Sequence, residues 1–410
     1  MTAGFGKWEL TPPMGVELAG YGYYLNRCAL SVRDPLYARA VLLETNDMRA
    51  LVISCDLLGL SKAVCAEIFL HAEKLGIPAE HTMIVSTHTH TGPAIKYHEG
   101  CGFVDDAYAA TVGGLICRAV DEAAADHAEV TALHQAFSPF EGDHIYNRTD
   151  PDGPVDRFVR GFTLTRRGKA PIGLINAACH GVFRGRDTAV SADFAGEINR
   201  LMEEQGIQSI YLNGLCGDID PCKPTDARLK EFAQIVVNAF ATQSRLLPLS
   251  LAAGTFSFTL KLAAVTEKEI RSAAKHAVEI AVGAEKPAAR VALIWEKEML
   301  AKLIQLQDTE EITSKYLLLG GVPIVAFPFE GFTRIGQDIR NITGRQDSLV
   351  LGCSEELLGY LPTRDDIARE AYAALESTFL YKRLPIVPGE AERLGQETGR
   401  MLMDRQKDSN

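Results

Sequence analysis

The chain lacks any apolar run approaching the ~18 residues that would suggest a membrane span, so membrane insertion is not expected. Its opening stretch, MTAGFGKWELTPPMG, lacks the basic start and apolar run of an export signal, and a cytoplasmic location is expected. Cationic charge is also short: 42 Lys and Arg stand against 53 Asp and Glu, a net charge of −11. That balance argues against nucleic acid as a partner, because neutralising phosphates needs clustered Lys and Arg. No Cys-x-x-Cys pair is present, which argues against a thiolate zinc module. The nine cysteines (Cys28, Cys55, Cys65, Cys101, Cys117, Cys179, Cys216, Cys222 and Cys353) are odd in number and scattered, the pattern of reduced thiols. Cys216 and Cys222 flank an acidic turn and are the candidates for reactivity. Internal repeats and low-complexity linkers are absent.

What is there suits a catalytic protein. Hydrophobic residues make up 47% and charged residues 23% of 410 positions, ordinary proportions for a globular chain of this length. RAVLLET and RALVISCDLLG read as a strand hairpin around a polar turn. SKAVCAEIFLHAEKLG reads as a helix with a Ser cap and a Gly stop. HTMIVSTH is the next strand, DDAYAATVGGLICRAVDEAAAD a helix with acids at its start, and EVTALHQAFSPF a strand. GDHIYNRTDPDGPVD reads as a long loop. Two strands across an RRGK turn follow, then the helix SADFAGEINRLMEEQG and the strand SIYLNGLCGDIDP. VPIVAFPFEGF and SLVLGCSEELLGYLP are late strands, before a helical end. This alternation predicts an α/β fold with a mixed or largely parallel β-sheet core covered by helices. We expect one catalytic domain over 1–410, with a helical insert at about 265–307.

Polar and ionisable residues collect where the apolar strands stop: Asp56, His88 and His90, His180, Asp218 and Asp220, Glu330 and Tyr360. Ligands gather outside strand ends in α/β sheets. On a strand, His88 and His90 would project from one face. His180 follows LINAAC, a strand end entering a site or a satisfied core histidine. Glu330 sits in FPFEGF, where a buried carboxylate must be paired or metal-bound; Arg334 is the alternative salt-bridge partner. Tyr360 in LGYLP is either a packed aromatic or a site residue. Two imidazoles and a carboxylate form the set zinc favours when a fourth position stays open. The other histidines (His71, His81, His98, His127, His134, His144 and His276) read as surface residues.

LTPPMGVELAGYG, DPLYARAVLLE, ISCDLLGLS, STHTHTGP, YNRTDPDGPVD, CHGVFRG, SADFAGEI, NGLCGDIDP, FPFEGFTRIG and LGYLPT follow one another in an order that resembles the neutral/alkaline ceramidases. The resemblance implies one zinc ion held by His88, His180, Glu330 and Tyr360; the tyrosine comes from the resemblance alone. It implies His90 as a proton-transfer or substrate-binding group. Arg148, in YNR, matches an arginine near the reacting centre, able to hold a carboxylate or a developing oxyanion.

The chain departs from that family in the loop Gly217-Asp218-Ile219-Asp220-Pro221, where Asp220 replaces the serine regarded as catalytic. A carboxylate cannot copy a serine alkoxide. Asp220, next to Asp218, is expected to act as general base toward water, or to bind a cationic substrate group or a second metal. The family's C-terminal β-domain is not expected here, and a small polar substrate is expected in place of ceramide. The expected function is a zinc-dependent hydrolase of an amide (C–N) bond. The alternatives are an ester or lactone hydrolase, an isomerase, or a non-catalytic ligand-binding member.

Overall fold

The computed structural model describes residues 1–242, 244–281 and 287–408. The larger sheet runs Gln208–Asn213, Lys169–Ala177, Phe158–Arg166, Ala128–Pro139, Thr2–Glu9, Tyr37–Glu44, Arg49–Cys55, Thr82–Ser86, with Arg245–Leu247 added beside Ala128–Pro139. The sheet is mixed. Its parallel pairs are Gln208–Asn213 with Lys169–Ala177, and Arg49–Cys55 with Thr82–Ser86. A second sheet runs Leu251–Lys261, Thr309–Leu319, Val322–Ala326, Leu349–Leu351.

The continuous apolar runs have a physical cause: both faces of these strands are covered. In Arg49–Cys55, Leu51, Ile53 and Cys55 pack under the helices Lys62–Lys74 and Asp106–Ala125. The alternate residues Ala50 and Val52 face Leu317, Leu319, Val322 and Ile324 of the second sheet. The outer face of that sheet buries Ile312, Val325 and Val350 with Ile335 and Ile339 of helix Thr333–Thr343 and Leu394 of helix Glu390–Asp408. Helix, sheet, sheet and helix therefore stack in four layers, the expected α/β class. Among the described residues no helix is long and apolar enough to cross a membrane.

Local signals held where they were strong. Ser61 caps Lys62–Lys74 by accepting from the Val64 amide at 3.4 Å. The insert is a helical hairpin, Glu267–Ile280 and Pro287–Ala301, and residues 282–286 of the expected span lie outside the described residues. Thr266 and Glu269 close a reciprocal capping box at its start. The expected long loop is not wholly irregular: Ile145–Asn147 pairs antiparallel with Ile219–Pro221 and sets Tyr146 opposite Asp220. Gly, Asp and Pro around it masked a strand too short to show a period.

The two sheets meet at their ends. Bridges join Val85 to Ser354 and Gly214 to Leu351, and Thr89 lies beside Gly181. A short parallel pair, Glu330–Gly331 with Tyr360–Leu361, follows from the second sheet. The candidate site residues lie along this seam.

Candidate active site

The strand Thr82–Ser86 stops two residues before His88, which turns into the left-handed region at φ 64°. His88 and His90 are therefore not strand neighbours on one face, as the sequence suggested. A turn brings their rings together, edge to face, 4.9 Å apart. The His88 amide donates to Leu57 O at 3.0 Å, and its Nδ1 meets Leu58 O at 2.7 Å. Such backbone strain is kept where surrounding bonds over-determine it, characteristically at functional sites.

A carbonyl can only accept, so His88 Nδ1 carries the proton and Nε2 is a bare lone pair in the neutral ring. His180 repeats the arrangement, with Nδ1 on Cys216 O at 2.6 Å. Both Nε2 atoms then face one oxygen, Glu330 Oε2, each at 3.1 Å. Three acceptors converge in a fully buried place. Only an added proton or a cation relieves that, so the donor set fits a metal ion. His90 adds a third imidazole: its two ring nitrogens are buried without partners, and the ligand atoms of His88, His90 and His180 lie within 4.8 Å of one another.

The surroundings fix these groups. Two glycines permit the close approach. A Cβ on Gly181 would stand 2.5 Å from His88 O, and one on Gly217 would stand 2.4 Å from Glu330 O. Burial would raise the Glu330 carboxyl, but with protons on the His88 and His180 rings their charge and hydrogen bonds hold it well below the usual range. Burial, reinforced by His88 and His180, pushes His90 well below the ordinary imidazole value and keeps it neutral. Tyr360 Oη lies 3.2 Å from His180 Nε2 and accepts from Arg148 Nη2 at 2.9 Å. The same guanidinium donates to Gly217 O at 2.8 Å and reaches Asp220 Oδ1 at 3.3 Å.

Four candidates therefore gather around His180 Nε2 and Glu330: His88, Tyr360, Arg148 and His90. Asp220 stands at the edge, partly exposed, with Arg148 between it and Tyr360. Asp218 turns away, accepting from the Thr333 amide and hydroxyl, each at 2.9 Å, and from Asn147 Nδ2 at 2.9 Å. It ties the loop to the start of helix Thr333–Thr343. Asp56 is likewise structural, paired with Arg39 at 2.8 Å. Arg334 pairs with Asp338, so it is not the partner of Glu330.

Sequence reasoning missed part of the wall. Tyr381 donates to Glu330 Oε1 and lies tilted against His98, ring centroids 4.4 Å apart. His98 and His144 are buried, not surface residues as expected, because later segments fold over them. Tyr372, Leu380 and Tyr381 close a cavity of about 20 Å³ against His88, His90, His98 and Glu330. No motif marks the segment that carries them.

This architecture is a ceramidase-like fold. Over 99% of its length the chain superimposes on the crystal structure of neutral ceramidase from Pseudomonas aeruginosa, with a TM-score of 0.75, 14% identity and 74% of that chain covered. A ceramidase complexed with C2 aligns similarly: TM-score 0.74, 14% identity, 99% of this chain and 75% of that one. No protein-family model and no curated sequence matches the chain.

Proposed function

We propose that the protein is a metal-dependent hydrolase of an amide bond in a small, polar substrate, with the whole chain acting as one catalytic unit. The observation that carries this reading is the meeting of His88 Nε2, His180 Nε2 and Glu330 Oε2, three acceptors that a cation reconciles. His88, His180, Glu330 and Tyr360 would hold one zinc ion. Zinc there supplies a Lewis acid for a carbonyl oxygen and eases deprotonation of water.

The chain's own groups do the rest. His90, neutral and with both ring nitrogens free, takes the proton of the attacking water and returns it to the leaving nitrogen. Arg148, locked on Gly217 O and Tyr360, sets a fixed positive charge beside the reacting carbonyl. Asp220 stands at the edge of the site, where it binds the polar end of the substrate. Tyr372, Leu380 and Tyr381 cover the histidines and Glu330 and keep bulk water from them. The ceramidase-like fold supports the amide class.

The free nitrogens of His90 favour a second reading of the ligands, a three-imidazole set of His88, His90 and His180. Metal analysis and a panel of small amides and esters test both. His88→Ala should lose metal and activity together. His90→Gln should keep the metal and lose turnover; loss of the metal instead selects the three-imidazole set. Full activity in metal-free protein would end the metal-dependent reading. Preference for esters over amides would move the chemistry to the ester or lactone class.

A further inference from the structure

Two thiols also lie close to His88. Cys216 follows the strand Gln208–Asn213, and Cys353 follows Leu349–Leu351. Both are fully buried. Asn213 Nδ2 donates to Cys216 Sγ at 3.5 Å, so that sulfur already serves as an acceptor. Cys353 holds a left-handed backbone at φ 51°. Its amide donates to Phe329 O at 2.8 Å, and its carbonyl accepts from the Ser86 amide at 3.0 Å. The ligand atoms of His88, Cys216 and Cys353 all lie within 4.8 Å of one another, and His88 Nε2 has no hydrogen-bond donor. Cysteines from different strand ends thus make a pair that the absence of Cys-x-x-Cys had argued against.

We infer that His88, Cys216 and Cys353 form a second binding site, for a thiophilic d10 cation such as Cd2+ or Cu+. Two thiolates and an imidazole are a softer donor set than two imidazoles with a carboxylate, and soft ligands select such ions. Binding a divalent ion forms two metal–sulfur bonds and releases two thiol protons to solvent, with no change of oxidation state. The two sites cannot fill together. His88 Nδ1 is committed to Leu58 O, so one ring nitrogen serves either set but not both. A soft cation seated there withdraws His88 from the hydrolytic set and inhibits; this consequence rests on the hydrolase reading, whereas the binding itself does not.

The test uses the full chain, stripped of metal, kept reduced with a phosphine and titrated with Cd2+ alone. One equivalent should raise the ultraviolet thiolate-to-cadmium charge-transfer band. X-ray absorption at cadmium should then show two sulfurs with nitrogen or oxygen completing the shell. Cys353→Ser should lose most of the band and bind Cd2+ at least about 100-fold more weakly, the upper end of what losing even an outer partner costs. Cys65→Ser, on the buried face of helix Lys62–Lys74 and away from the site, should change neither. A shell of only nitrogen and oxygen overturns the proposal, and that result stands even if the serine variant does not fold. So does a band that survives both Cys353→Ser and Cys216→Ser. None of these readouts involves turnover. A sulfur-rich cadmium shell with no hydrolysis by zinc-loaded protein would sink the hydrolase reading and leave this site standing.

Discussion

A single hydroxyl sets the orientation of Glu330. Tyr381 donates to Oε1 and so points Oε2 at the two imidazoles. Tyr381→Phe keeps the ring against His98 and removes only that donor. Partners of this outer kind are worth about 10–100-fold in metal affinity, and a loss of that size is expected in competition with a chromophoric chelator. An unchanged affinity would show that Tyr381 merely fills space. The difference between what was legible and what was hidden is plain at this scale. His88, His180, Glu330 and Tyr360 each stand where an apolar run breaks, a local signal. Tyr381, His98 and Tyr372 reach the cavity only through tertiary docking of segments whose own sequence has no such break.

The segment that brings Tyr381 is held by the helical hairpin. Trp295, on Pro287–Ala301, donates from Nε1 to Arg383 O at 2.7 Å and packs on Phe379, ring centroids 4.9 Å apart. Lys382 adds contacts to Glu298 at 2.6 Å and Glu99 at 3.2 Å. Trp295→Ala should therefore cost about 3–5 kcal/mol in denaturant unfolding. Amide exchange should quicken across the helix Glu376–Leu380. If exchange there stays at its original rate, the hairpin is not the brace of this wall. Elements with an extended period, such as Arg49–Cys55 and Lys62–Lys74, were readable from sequence. Ile145–Asn147 was not, because three residues show no alternation and its partner strand is far along the chain.

For the molecule as a whole, stability should depend on a carboxyl outside the site. Asp193 opens helix Asp193–Glu204 at φ 53° and accepts from the amides of Arg184 at 2.9 Å and Phe194 at 2.8 Å. Burial pushes its pKa from 3.8 up to about 6. A raised carboxyl binds its proton more tightly when folded. Its contribution is therefore fully present below 3.8 and is lost as pH rises through about 6. Thermal unfolding across that window should show stability falling with pH, and Asp193→Asn should flatten the slope. An equal slope in both proteins would refute the assignment. The layered fold itself was legible as a class, because strands buried on both faces must be near-continuously apolar. The pairing of two sheets was not, because Leu251–Lys261 and Thr309–Leu319 carry too much polar surface to stand out.

The bridges Val85–Ser354 and Gly214–Leu351 place the site on the line where the sheets touch. His88 and His180 extend from one sheet, Glu330 and Tyr360 from the other. Neither half holds His88, His180, Glu330 and Tyr360 together. The protein therefore carries a built-in proof of assembly: a chain whose sheets have formed but not yet docked has normal secondary structure and no site. On the hydrolase reading proposed above, such half-assembled molecules would lack the four-residue set that holds the cation.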